Sequence, residues 1–361
     1  MKIHLIAGAR PNFMKIAPLW HQMTAVEGLS PVLVHTGQHY SENMSDSIFR
    51  DLALPPPAYN LGVGGGRHGE QTGKTMVAYE RVCDEDKPDA VLVVGDVNST
   101  LAAALVAKKL NRNVIHLEAG LRSFDRSMPE EINRVATDAI SDLLLTPSID
   151  ADANLEKEGV DRSRIIRVGN IMIDSLEMLR NRIEHTQVWE KLGLHDKEYV
   201  VVTMHRPSNV DDPNRLEKLV AVLERLSQQQ KVCFPLHPRT HLALKRAQLL
   251  PRLDSAGVLT LEPMSYIEFM SLMMSSMYML TNSGGIQEEA SYVGIPCFTL
   301  RDNTERPITI TEGTNQLVTI DSVFDEVAKC GSVLRMRRAA NIDMWDGRTA
   351  GRVISAISKF F

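Results

Sequence analysis

The sequence predicts an α/β protein built from two Rossmann-like, doubly wound domains with an interdomain cleft. Three observations carry that prediction. Short apolar runs alternate with longer helical patterns, the series occurs twice, and 361 residues are too many for one ordinary core. Residues 3–7 have a strand pattern and 13–26 a helical one, followed by a strand at 31–35. Residues 90–94 are nearly all apolar, as a parallel strand buried on both faces requires. A helix at 100–110, a strand at 113–117 and a helix at 129–141 complete the first series. The second has strands at 200–203, 232–236, 277–280 and 296–300, with helices at 215–228 and 286–293. The junction falls near Val168-Gly169-Asn170.

Composition narrows the function. Hydrophobic residues at 43% and charged residues at 24% describe a globular chain. A net charge of −5 leaves no broad basic surface for nucleic acid, so an anionic ligand must be held by a local cluster of cations or by helix N-termini. Cys83, Cys233, Cys297 and Cys330 form no Cys-x-x-Cys pair, which argues against zinc ribbons and disulfide scaffolds and fits a reducing compartment. The apolar run at 1–7 is too short for a secretory signal, and no stretch approaches the ~20 apolar residues of a membrane span. The expectation is a cytoplasmic protein that needs no membrane. His35 and His39 straddle a strand end and do not share a helical face, so no metal is expected, and no redox cofactor either.

Two motif matches fail their context. Gly64-x-Gly66-x-x-Gly69 fits a dinucleotide fingerprint, but Pro55-Pro56-Pro57-Ala58-Tyr59-Asn60 stands where a strand should lead in. His68-Gly69-Glu70-Gln71-Thr72-Gly73-Lys74-Thr75 resembles a Walker A loop with histidine in place of its first glycine. A glycine-rich surface loop opening a helix accounts for both.

In open α/β sheets, ligands bind beyond the carboxyl ends of the strands. Those exits carry Gly8-Ala9-Arg10-Pro11 with Lys15, then Gly95-Asp96, then His116, Glu118 and Gly120. In the second series they carry Met204-His205-Arg206, His237-Pro238-Arg239 and Asn282-Ser283-Gly284-Gly285. Singly, each has an ordinary structural explanation. Asp96 is a suitable helix cap, Ser127-x-x-Glu130 a capping box, and Lys15 and Arg10 solvated charges. Together, carboxylates and cations at exits that share one cleft suggest acid/base chemistry on an anionic substrate. Two glycines between strand and helix at Ser283-Gly284-Gly285 suit a diphosphate at a helix N-terminus. Glu289, about one turn on, is either a ribose ligand or a solvated carboxylate.

With these residues the chain resembles the non-hydrolysing UDP-N-acetylglucosamine 2-epimerase family, from Gly8 to about Thr314. The motifs are Gly8-Ala9-Arg10-Pro11-x-x-x-Lys15, Gly95-Asp96-x-x-Ser99-Thr100, Glu118-Ala119-Gly120-Leu121-Arg122-Ser123 and Pro129-Glu130-Glu131-x-Asn133-Arg134. Val168-Gly169-Asn170, His205-Arg206, His237-Pro238, Ser283-Gly284-Gly285-Ile286-Gln287-Glu288-Glu289 and Thr304-Glu305-Arg306-Pro307 follow in order.

The resemblance implies a glycosyltransferase-B arrangement. Residues 1–169 form the first domain, completed by a helix at about 348–361, and 170–347 form a UDP-binding second domain. It implies reversible conversion of UDP-GlcNAc to UDP-ManNAc for surface polysaccharide precursors, by elimination of UDP to a 2-acetamidoglucal and re-addition. Asp96, Glu118, Glu130, His205 and Lys15 are then catalytic candidates. Arg10, Arg134, His237, Phe269, Ser283, Gly284, Gly285, Glu289 and Arg306 hold the nucleotide-sugar. A homodimer is implied by the resemblance alone. Two alternatives stay open, a 2-epimerase of UDP-2,3-diacetamido-uronic acid and a hydrolysing epimerase that releases ManNAc and UDP. The chain departs from the typical bacterial His-Arg-Arg-Glu-Asn with His205-Arg206-Pro207-Ser208-Asn209. Thr36-Gly37-Gln38-His39-Tyr40 lacks a common arginine, and Arg122-Ser123-Phe124-Asp125 resembles the diacetamido-uronate branch.

Overall fold

The computed structural model describes residues 1–37, 48–331, 334 and 337–361. Gln38, His39 and Tyr40 lie outside the described residues. The chain divides into two compact units, Met1–Met178 with Asp343–Phe361, and Leu179–Ile342.

Unit 1 holds β1 (Lys2–Ala7), β2 (Ser30–His35), β3 (Tyr59–Asn60), β4 (Ala90–Val94), β5 (Asn113–Leu117), β6 (Leu143–Thr146) and β7 (Ile165–Arg167). They pair in parallel in the order β3-β2-β1-β4-β5-β6-β7. Leu5 of β1 faces Leu33 of β2 on one side and Leu92 of β4 on the other. Every residue of β4 is buried, as a central parallel strand covered on both faces must be. Unit 2 repeats the plan with β8 (Tyr199–Thr203), β9 (Lys231–Pro235), β10 (Leu259–Leu261), β11 (Tyr278–Thr281), β12 (Cys297–Leu300) and β13 (Asn315–Val318), ordered β10-β9-β8-β11-β12-β13. In each sheet the chain winds outward one way, then returns to start the other half beside its first strand. The reversals fall between β1 and β4 and between β8 and β11, where an open sheet leaves a crevice at its carboxyl edge.

Helix limits follow local chemistry. Asp212 caps the helix Pro213–Ser227 by accepting from Asn214 N at 2.8 Å and Arg215 N at 3.0 Å. Leu216, Leu219, Val220, Leu223 and Leu226, spaced three and four apart, then bury one face in the unit 2 core. The last helix, Thr349–Phe360, packs on the helix Arg10–Thr24. The buried carboxylate of Asp174 holds its start, accepting from Thr349 N at 3.0 Å and Ala350 N at 2.8 Å.

Two sequence expectations need correction. The helix Pro129–Ile140 is capped at Met128 with no side-chain cap, so Ser127-x-x-Glu130 is not a capping box. Ser127 Oγ instead donates to Asp125 Oδ1 at 2.6 Å, because Asp125 lies closer along the turn than the helix amides. Nor does Asp96 cap a helix: Val97 stands at the cap of Asn98–Lys109, and the Asp96 carboxylate takes Arg134. No helix among the described residues is long and apolar enough to cross a membrane.

Candidate active site

The reversal in unit 1 collects charge. Beyond β1, Asn12 locks the turn, with Oδ1 accepting from Ala9 N at 2.8 Å and Nδ2 donating to Val94 O at 3.1 Å. That side chain ties the β1 exit to the β4 exit. Arg10 opens the following helix and is half-buried, and Lys15 is buried within it. Lys15 Nζ donates to Glu118 Oε2, while Glu118 Oε1 is buried with no hydrogen-bond partner. Glu118 follows β5 with φ +69°, a left-handed conformation that costs a non-glycine residue ~1–3 kcal/mol. Glu118 thus combines a strained backbone with a buried carboxylate of which one oxygen has no hydrogen-bond partner.

Arg134 Nη1 donates to Asp96 Oδ2, and its Nη2 reaches Glu131 Oε2 at 2.7 Å. Glu131 also accepts from Ser123 N and Phe124 N, each at 2.9 Å. Burial pushes the Glu131 carboxyl up, but the Ser123 amide and the Arg134 guanidinium outweigh it and hold the group below its ordinary range. The network therefore joins Lys15 with Glu118 and Arg134 with Asp96. It does not include Glu130, which is exposed in the first helical turn, one turn before Arg134.

The reversal in unit 2 is arranged differently. Thr203 and Thr281 share a hydroxyl bond of 2.7 Å across β8 and β11, and His205 N donates to Asn282 Oδ1 at 3.2 Å. Ser283 precedes the helix Gly284–Val293. A Cβ on Gly284 would lie 2.6 Å from Glu305 Oε1 and 2.8 Å from Arg306 Nη1, so any larger residue would have to displace that ion pair. A Cβ on Gly285 would meet nothing within 4 Å. The two glycines thus serve different ends, one admitting an ion pair and the other leaving backbone open. Arg306 Nε stands 2.8 Å from Glu288 Oε1 as an ion pair, and Arg301 Nη2 donates to Glu305 Oε2 at 2.7 Å. Arg206 Nη2 stands 3.8 Å from Glu305. Three guanidiniums face two buried carboxylates, and Arg301 Nη1 is buried without a partner. Burial raises the Glu305 carboxyl, yet Arg306 and Arg301 hold it far below the carboxylate range.

Glu289 is buried and accepts from Tyr266 Oη at 2.7 Å; it is not a solvated carboxylate, because its helix face packs inward. Phe269 is half-buried on the same helix as Tyr266, which begins with a reciprocal Ser265–Glu268 box. The rings of His205 and His237 lie 5.5 Å apart. Exposed His237 caps its own helix, accepting from Arg239 N at 3.2 Å. Burial lowers the His205 imidazole to about 4, helped by His237 and nearby arginines, so it is neutral at physiological pH.

A family model described as UDP-N-acetylglucosamine 2-epimerase matches residues 21–358. The chain belongs to that family. This epimerase-family chain is 44% identical over 324 residues to the UDP-N-acetylglucosamine 2-epimerase of Methanocaldococcus jannaschii, with 88% of each chain covered. It is 42% identical over 322 residues to the UDP-2,3-diacetamido-2,3-dideoxy-D-glucuronate 2-epimerase of Pseudomonas aeruginosa, again with 88% of each covered. The crystal structure of the M. jannaschii UDP-GlcNAc 2-epimerase in complex with UDP-GlcNAc and UDP is similar with a TM-score of 0.90 and 38% identity, covering 99% of this chain and 100% of that one. The Neisseria meningitidis UDP-GlcNAc 2-epimerase bound to UDP-GlcNAc gives a TM-score of 0.88 at 28% identity, with the same coverage.

Within the epimerase fold, sequence reasoning quoted Glu131, Glu288 and Glu305 only as parts of motifs, with no role, and passed over Asp138 and Arg301. In sequence they are ordinary charged residues. Only Arg301 and Glu305, four apart in opposite charge, offer a local signal, and that spacing is common on solvated surfaces.

Proposed function

We propose that the chain interconverts UDP-N-acetylglucosamine and UDP-N-acetylmannosamine by inverting C2, without releasing free sugar. The carrying observation is the pair of carboxylates at adjacent strand ends of unit 1, Asp96 after β4 and Glu118 after β5, each bonded to a buried cation. Inversion by elimination needs acid/base groups on both faces of one carbon. A carboxylate takes the C2 proton as the C1–O bond to UDP breaks, and C1=C2 forms to give a 2-acetamidoglucal. The UDP oxygen then adds back to C1 while an acid delivers a proton to the opposite face of C2. Asp96, Glu118 and Glu130 supply these protons, with Lys15 fixing one oxygen of Glu118 and leaving the other to accept. His205, neutral at physiological pH, is suited to hydrogen bonding or proton transfer rather than to fixed positive charge.

Unit 2 holds the leaving group. The amide end of Gly284–Val293 faces the diphosphate, Arg301 and Arg306 balance the charge that develops as UDP departs, and Ser283, Gly285 and His237 complete the cradle. Glu289 and Phe269 engage the ribose and uracil, and Arg10 and Arg134 the sugar side. The enzyme works as a cytoplasmic homodimer that feeds surface polysaccharide precursors; sedimentation velocity tests the dimer.

A second substrate is favoured by the Pseudomonas relative, 42% identical, and by Arg122-Ser123-Phe124-Asp125. It is the UDP-2,3-diacetamido-uronate. Incubation with each UDP-sugar in deuterated water is the test. Deuterium at C2 of both epimers, with UDP still attached, supports the proposal and identifies the sugar. No exchange with either sugar ends it, and free N-acetylmannosamine with UDP assigns the hydrolysing reaction instead.

A further inference from the structure

His116 lies in β5 between Val93 of β4 and Leu144 of β6, fully buried. Its Nδ1 is 2.6 Å from Asp138 Oδ1 and its Nε2 is 2.9 Å from the carbonyl oxygen of Gly95. A carbonyl oxygen only accepts, so Nε2 carries a hydrogen. The other Asp138 oxygen accepts from Gly120 N at 3.0 Å and faces Arg122 Nη1 at 2.7 Å. Burial raises the Asp138 carboxyl, but the Arg122 guanidinium and the Gly120 amide on that oxygen hold it as a carboxylate. An ionised carboxylate has no hydrogen to give, so Nδ1 carries one as well. An imidazole that donates from both nitrogens is a cation.

We propose that His116 is a buried imidazolium that positions the Gly95–Asp96 turn against Glu118, and thereby sets the geometry of the two carboxylates. Gly95 is gripped at both ends, since its N–H donates to Leu117 O at 3.1 Å while its carbonyl takes His116. Its φ is +70°, and a Cβ there would stand 3.3 Å from Lys15 Nζ and 3.4 Å from Glu118 Oε2, so the ion pair rests on the bare glycine. Asp138 extends the grip to Gly120, two residues beyond Glu118. One charged ring thus ties the exits of β4 and β5 and the helix Pro129–Ile140 into a single unit. No hydrogen bond links its nitrogens to Asp96 or Glu118, so His116 is a positioning residue. A neutral side chain cannot replace it: glutamine donates toward one acceptor but turns a carbonyl oxygen to the other.

The inference about catalysis rests on the proposed epimerisation, whereas the charge of the ring does not. The test uses the full chain labelled with 15N-histidine, with His116→Gln assigning the resonance. In the folded protein the His116 ring should show two protonated nitrogens, as its two facing acceptors require. One bare ring nitrogen overturns the proposal. His116→Gln should lower kcat for C2 exchange about 100-fold while KM and calorimetric UDP binding stay within about threefold, the scale of an ångström of misplacement. Asp138→Asn, nearly isosteric but without the counter-charge, should turn the ring into a neutral tautomer and lower kcat likewise. Unchanged kcat in His116→Gln, or a loss confined to KM, overturns the proposal. If His116→Gln does not fold, Asp138→Asn assigns the resonance through the ring signal it shifts and supplies the kcat that decides. If the wild type exchanges no UDP-hexosamine yet its ring is doubly protonated, the charge assignment stands and only the proposed reaction falls.

Discussion

Gly284→Ala is a one-carbon perturbation whose effect can be worked from the structure. The new Cβ would stand 2.6 Å from Glu305 Oε1 and 2.8 Å from Arg306 Nη1, and an ordinary contact needs roughly 3.4 Å. Both atoms end flexible side chains, which would ordinarily yield. Here they cannot do so freely, because Glu305 is also held by Arg301 at 2.7 Å and Arg306 by Glu288 at 2.8 Å, all four side chains buried. Moving the pair means loosening those contacts or tilting the first helical turn, an overpacking cost of ~1–3 kcal/mol. If the guanidiniums and that turn hold the diphosphate, most of this loss appears in binding. UDP affinity should then fall ~5- to 100-fold, at 1.4 kcal/mol per tenfold. Calorimetry with UDP reads the affinity and urea unfolding reads the stability. UDP affinity within twofold of wild type, in a variant of unchanged stability, would refute the role given to the glycine and its ion pair.

Three further outcomes are expected. Lys15→Met leaves a buried Glu118 carboxylate without its cation, so stability should fall by ~3–5 kcal/mol in urea unfolding, with C2 exchange lost; a stable variant with normal exchange contradicts the pairing. Asp174→Ala uncovers the first amides of the last helix, at a cost of ~1–2 kcal/mol, and hydrogen exchange should quicken first at Thr349 and Ala350. His205 is lowered to about 4 in the fold against about 6.5 unfolded. Its neutral form favours the native state fully above pH 6.5, and that contribution is lost as pH falls toward 4. Between pH 7 and 5 the wild type should therefore lose ~2 kcal/mol that His205→Asn does not lose, read from urea midpoints; parallel slopes would remove His205 as the cause.

Legibility in the sequence followed the range of the forces involved. The central strands were visible because a parallel strand covered on both faces must be apolar throughout, as 90–94 is. β3, β6, β7, β10 and β13, two to four residues long and away from the sheet centres, were missed. Asp96, Glu118 and Ser283 stood out in the sequence because they follow strands at a topological reversal, where open sheets bind ligands. Glu131 was not separated from Glu130: adjacent residues of one type differ only in which side of a helix they occupy, and the fold buries one while exposing the other.

By itself the amino-acid order determined the alternating α/β plan, the duplication of the series and the chemistry available at each strand end, because periodicity, capping and glycine placement act over a few residues. Tertiary structure alone decided which charges meet. Lys15 reaches Glu118 and Arg134 reaches Asp96 across 103 and 38 residues of chain. His116 is trapped between an ionised carboxylate and a carbonyl by three separate elements. Burial strengthens such pairings and makes an unpaired charge costly, so partner choice depends on the packed interior that no local stretch of sequence specifies.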